Sequence, residues 1–341
     1  TIGVALLMTG SVFAATTVTI GDVEALKAFA AAVNSGTSYE GDTVTLSADL
    51  DLTGVEWTPI GVGTRSSKSY TGKAFKGTFD GGNHTISGLT ITSTASDDAA
   101  VGLFGVVDGG TVKNVKLDAV NINVASSDLA GGAIGLMVNN AKAENITVGG
   151  SIVGNDGVGG IAGRLIISGT ISSCTNNASV TSSYGGIGGI VGKAYYEDGA
   201  NTALFASVDK CVNNGTITAP MYVGGIVGLA RANVTGCINN GVVVGGTQTG
   251  GIVGQLIAAG TVSNNENNAK ISGKNHLGGI IGDYSQTPAY TYYNVTIANN
   301  INPGELAATE QRAAILGCNN IDGFTAMTAS GNVSFYNAEG L

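Results

Sequence analysis

Few side chains in this sequence are placed to do chemistry. The adjacent acidic pairs are Asp97-Asp98 and Glu197-Asp198. Hydrolysis of a glycosidic bond needs two carboxyls roughly 5–9.5 Å apart, and neither pair has a partner at a spacing that would bring up a second carboxyl. A polysaccharide lyase or glycosidase is therefore the least favoured reading, and the chain is read as not an enzyme. The two histidines, His84 and His276, are too far apart in sequence and pattern to share a metal; no metal and no cofactor is expected. Of four cysteines, Cys174, Cys211 and Cys237 recur in one sequence context and Cys318 stands apart. No histidine lies near enough to activate a thiolate. The chemistry that remains is recognition. Six of the eleven tyrosines, Tyr195, Tyr196, Tyr284, Tyr290, Tyr292 and Tyr293, follow Gly192 or Gly282 in two long insertions. Tyrosine offers a rigid apolar face with a polar tip, suited to a sugar or a protein surface.

What positions these residues is a repeat. A glycine-flanked apolar motif occurs as VGLFG (101–105), GGAIG (131–135), GGIAG (159–163), GGIVG (188–192, 224–228 and 250–254), GGIIG (278–282) and AAILG (313–317). The last glycines are spaced by 30, 28, 29, 36, 26, 28 and 35 residues. Between the copies lie CTNNASVT from Cys174, CVNNGTIT from Cys211, CINNGVVV from Cys237 and NENNAKIS from Asn265. Paired asparagines followed by alternating β-branched residues read as turn, then strand. The glycine motif is too short and too glycine-rich for a helix. Units of about 28 residues made only of short strands satisfy their backbones by pairing each strand with its equivalent in the next unit, in parallel sheets. Equivalent residues then stack about 4.8 Å apart. Two asparagine ladders follow: Asn176, Asn213, Asn239 and Asn267, and beside them Asn177, Asn214, Asn240 and Asn268. Cys211 and Cys237 fall in successive coils within disulfide reach. A ladder points its side chains the same way, so buried free thiols are expected, with a disulfide as the alternative. The two tyrosine insertions leave one corner three coils apart, about 15 Å along the axis.

The expected fold is an all-β, right-handed parallel β-helix with an N-terminal amphipathic capping helix. Residues 1–15, with an apolar run from Ile2 to Phe13 and small residues at Ala14 and Ala15, read as a signal-peptide remnant or a retained segment donated to a neighbour. Residues 16–41 form a cap. It contains a helix over about 22–34, opened by Asp22, with Val23, Leu26, Phe29 and Ala30 on one face and a stop at Asn34-Ser35-Gly36. Residues 42–325 form the solenoid, and 326–341 a C-terminal strand or tail.

The segment GTFDGGNHTISGLTI (Gly77–Ile91), with the later GGIVG copies alternating with C-x-N-N-G turns, resembles the GLUG-motif repeat proteins of bacterial cell surfaces. The resemblance implies a right-handed parallel β-helix, export, and a role in adhesion or as a stalk. Composition favours one long domain with tight backbone packing and short polar turns: glycine numbers 55 against 4 prolines, only 11% of residues are charged, and the net charge is −9. No basic cluster is present to displace counterions from nucleic acid, and none is expected as a partner. No stretch is long enough to span a membrane in the mature chain. The partners expected are a surface glycan or protein, or further copies of the chain stacking head-to-tail as an extracellular filament. The expected location is secreted or at the cell surface.

Overall fold

A computed structural model describes residues 16–66, 69–195, 206–257, 260–285, 295–310, 312–320 and 327–334. The chain is a parallel β-solenoid of about 9 turns, with one short helix among the described residues. Its strands form a 30-stranded sheet that wraps around corners and an 8-stranded sheet that closes each coil. A 2-stranded antiparallel hairpin, Gly63–Ser66 with Ser69–Gly72, stands outside the coil.

The first rung precedes the helix. Strand β1 (Thr17–Ile20) pairs in parallel with β2 (Thr43–Leu46), Thr17 opposite Thr43 and Ile20 opposite Leu46. Between them runs α1 (Val23–Ser35), which buries Leu26, Phe29, Ala30 and Val33. Asp22 caps it by accepting from Ala25 N, and Gly36 ends it at φ 115°, a left-handed conformation that costs glycine little. Phe29 packs edge-on against Phe75 at 5.6 Å and stacks with Phe79 at 6.2 Å. The helix thus covers the core end that a solenoid would otherwise expose.

The interior is built of ladders. Asn176, Asn213, Asn239, Asn267 and Asn302 are fully buried, and each of the first four donates Nδ2 to Oδ1 of the next at 2.7–2.8 Å. Nδ2 of each also reaches the carbonyl two residues on, from Ala178 to Gly304, so the side chain satisfies the corner that the strand ladder leaves. Below Asn176 the same column is apolar: Leu50, Ile86, Leu117 and Val148. Two of those coils turn the corner without breaking their strands, which run as Thr111–Asn123 and Ala141–Gly159. The second glycine of the repeat faces this ladder. A Cβ on Gly225 would lie 2.1 Å from Gly251 O and 2.4 Å from Asn239 Cγ, so the Gly-Gly and Asn-Asn motifs are two sides of one contact.

The second asparagine of each pair faces solvent. Asn214 donates to Asn177, Asn240 to Asn214 and Asn268 to Asn240, at 2.8–3.0 Å. Cys174, Cys211 and Cys237 are buried and free. Their column continues as a third amide ladder, in which Asn265 donates to Asn300 and Asn300 to Asn332, each at 2.9 Å.

Candidate functional site

The two tyrosine insertions leave the 8-stranded sheet, at the ends of strands Val191–Ala194 and Ile281–Ser285. Side chains on this sheet fall into two lines. The inward line runs Leu165, Ala194, Ala230, Leu256 and Tyr284, all within the main core. Tyr284 is fully buried there, which corrects its assignment to a ligand-facing loop: two residues past the repeat glycine Gly282, it points into the coil. Tyr195 lies one residue beyond the inward position and is half-buried, with the Arg164 guanidinium 5.0 Å from its ring centroid. Tyr196, Tyr290, Tyr292 and Tyr293 lie outside the described residues, as do residues 1–15.

The outward line holds a feature that the sequence reading missed. It runs Val106, Leu136, Arg164, Lys193, Leu229, Gln255 and Asp283 in register. Although outward, it is buried: Arg164 is 3% exposed, Lys193 8% and Asp283 1%. From Arg164 on, the residues directly follow the last glycine of successive motifs, so the signal was present as R, K, L, Q and D after an otherwise uniform repeat. A charge buried so far must be paired. Lys193 is paired with Asp156, and Asp283 accepts from Gln255 Nε2 at 2.7 Å, with His276 Nδ1 at 3.7 Å. Gln255 also donates to Ser285 Oγ at 3.1 Å.

The neighbouring corner is acidic. Asp128 N donates to Asp97 O at 2.7 Å and Asn155 Nδ2 to Asp128 Oδ1 at 2.9 Å, so Asp98, Asp128 and Asp156 come from successive coils. Asp98 therefore does have carboxyl neighbours, contrary to the sequence reading, because the turns are offset and hide the spacing. Burial, with help from Asp156 and Asp98, pushes the Asp128 carboxyl above its ordinary value against the Asn155 hydrogen bond. A carboxyl raised by neighbouring carboxyls is the pattern of an acid–base pair. Here the flanking groups are engaged, Asp98 by Arg65 at 3.5 Å and Asp156 by Lys193. Tyr222, in a left-handed turn at φ 53°, has its hydroxyl pushed up by burial and by Tyr184, Asp283 and Asp156. His84 is bound to Asp49 at 3.2 Å in another coil from His276. Among the described residues no group of three or more His, Cys, Asp or Glu is placed to hold a metal, and no helix is long and apolar enough to cross a membrane.

No family model matches the chain. It is 30% identical over 142 residues to halomucin of Haloquadratum walsbyi; the match takes in 40% of this chain and 2% of that protein. The chain thus spans a small fraction of the length of the relative it matches. Its fold is similar to a crystal structure described as "a putative immunoglobulin A1 protease from Bacteroides ovatus", with a TM-score of 0.51 over 93% of this chain and 83% of the other. At 15% identity that likeness concerns the fold.

Proposed function

We propose that the chain is a non-enzymatic, surface-exposed structural module of a larger exported protein, which holds out loops for adhesion to a glycan or a protein. The observation that carries this reading is the division of labour across the 8-stranded sheet. The inward face is a continuous apolar stack, while the outward face carries buried, paired polar groups at the strand ends where the long insertions leave. Buried pairs constrain the placement of both partners, which supports a role for this face in holding the insertions in a fixed place. Similarity to one short stretch of a very long protein supports the modular part of the proposal. The resemblance of the repeat to GLUG motifs supports the surface location.

Protease treatment of intact cells, with peptides read by mass spectrometry, tests the location. Release of peptides from this chain is expected; protection until lysis would overturn the reading. Replacing Tyr292 and Tyr293 by Ala is expected to weaken adhesion without lowering the melting temperature, and unchanged adhesion would remove the loops from the proposal. Turnover of a uronic-acid polysaccharide, abolished by Asp98→Asn or Asp128→Asn, would replace it with a carboxyl-pair enzyme.

A further inference from the structure

The first coils form an open pocket of about 610 Å³, several coils from strand Ile281–Ser285. Its floor is the turn holding Trp57 and Pro59, one wall is the hairpin with Val62 and Thr71, and the other is the loop around Ala95. The volume is that of a small-molecule site. Each wall is held in place. Trp57 is buried and donates Nε1 to Leu103 O at 3.1 Å. Glu56 Oε1 accepts from Thr92 N at 2.6 Å and Thr92 Oγ1 at 3.1 Å, which fixes a carboxylate at the rim. The hairpin is tied to the body by Tyr70 Oη donating to Asp108 at 2.9 Å and by Arg65 beside Asp98.

The lining decides the ligand class. Apolar surface alternates with threonine and serine hydroxyls, and among the described residues of the lining Glu56 supplies the only ionisable side chain. An anion would meet that carboxylate with no cation beside it among the described lining residues of this pocket, in a protein of net charge −9. A purely apolar ligand would strand the hydroxyls. A neutral sugar, with apolar ring faces and a rim of hydroxyls, satisfies both kinds of surface. A second hollow of about 350 Å³, between the same turn and α1, shares Glu56, Trp57 and Thr58 and adds Lys27, a cation already engaged by Glu24 at 2.9 Å, so a chain of sugars has room to continue past the first ring. We propose that this cavity binds a neutral oligosaccharide and excludes uronic acids. It is a contact site separate from the tyrosine insertions.

The test is titration calorimetry on the purified chain, with tetrasaccharides of glucose, mannose, galactose and N-acetylglucosamine against oligomers of galacturonic and glucuronic acid. Saturable binding of at least one neutral probe is expected, with the acidic oligomers weaker by about tenfold. Ala95→Trp and Thr71→Tyr fill the cavity from opposite walls and are each expected to weaken binding by about tenfold or more; circular dichroism checks that both fold. Glu56→Gln is expected to narrow the gap between neutral and acidic probes. Absence of saturable binding by every neutral probe, equal or tighter binding of the acidic ones, or binding unchanged in both filled variants would overturn the proposal. Loss of sugar binding only when Tyr292 and Tyr293 are replaced would assign it to the loops instead. Because the measurement uses purified protein, its failure is separate from failure of the cell-surface reading.

Discussion

Asn239 and Asn240 are neighbours in sequence, and each makes amide-to-amide bonds with the coils on both sides. Replacing each by Ala separates what burial contributes from what the hydrogen bonds contribute. Asn239 accepts from Asn213 and donates to Asn267 Oδ1 at 2.8 Å and to Gly241 O at 3.0 Å. After Asn239→Ala, Asn213 keeps its bond to Gly215 O, and the Gly241 amide keeps Asn213 O at 3.1 Å. Asn267 Oδ1 and Gly241 O lose these donors in a dry interior. Two stranded acceptors at about 1–3 kcal/mol each put the cost at about 4 kcal/mol. Asn240→Ala loses bonds of similar length, to Asn214 at 3.0 Å and from Asn268 at 2.9 Å, but water replaces both at that exposed position. The cost there is about 1 kcal/mol or less. A solenoid need not unfold in one step, so the suitable assay is native-state hydrogen exchange of the coil that contains the substitution, with the coil near Ile86 as reference. The difference of about 3 kcal/mol predicts exchange about a hundredfold faster in Asn239→Ala than in Asn240→Ala. Equal acceleration by the two substitutions, or little acceleration by Asn239→Ala, would refute the argument that burial decides the worth of a ladder.

Cys174, Cys211 and Cys237 are expected to stay unmodified by maleimide in the native protein and to react once it is denatured. The stacked neighbouring thiols and burial push Cys211 and Cys237 well above the ordinary thiol range. Labelling of the native protein, or a Cys211–Cys237 disulfide in peptide maps, would contradict this. The hairpin should detach in acid. Burial acts to raise the Asp108 carboxyl, but hydrogen bonds from Asn139 at 2.7 Å and from Tyr70, with Lys76 at 3.2 Å, outweigh it and hold the group below the usual carboxylate range. A carboxyl lowered in the folded state contributes stability above its unfolded pKa of about 4, and loses it as pH falls through the lower folded value. Protection of the amides in Gly63–Ser66 and Ser69–Gly72, relative to their intrinsic exchange at each pH, should therefore fall below about pH 4, and by less in Tyr70→Phe, which removes one of the bonds that hold the carboxyl down; an equal fall in the two proteins would sink the assignment.

The coils and the paired asparagines could be read from the sequence because stacking repeats residue types at each position. What escaped is where type and position part. β1 escaped because TVTI alone is four residues of alternation, and only pairing with Thr43–Leu46 shows that it is a rung. The continuation of the cysteine column through Asn300 and Asn332 escaped because the Asn-Asn pattern degenerates in those coils to NINPG and NVS, while the position in the coil persists. Tyr284 was grouped with the insertion that follows it. Its parity relative to Gly282 matches that of Ala194, Ala230 and Leu256 relative to their own glycines, and parity decides which side of a strand a residue faces.

The outward face of the 8-stranded sheet obeys a different rule from the ladders. Val106 and Leu136 are covered by an apolar layer to which Tyr70 and Ala74 of the hairpin segment, Ala100 and Leu129 contribute. Further along, the same line carries Arg164, which lies over the Tyr195 ring, Lys193, which is paired with Asp156, and Gln255 and Asp283, which are hydrogen-bonded to each other, with the apolar Leu229 among them. An apolar cover tolerates exchange of one hydrocarbon for another at modest cost, whereas a buried charge punishes loss of its one partner. The same β-column thus presents a forgiving surface at its N-terminal end and, beyond Arg164, exacting positions at Lys193 and at the Gln255–Asp283 pair. Substitution of Leu136 by Met and of Lys193 by Met change the same line of the same sheet, yet only the second strands an acid, Asp156, without its base. Position in the coil alone does not set the cost of a change; the chemistry of the neighbour does.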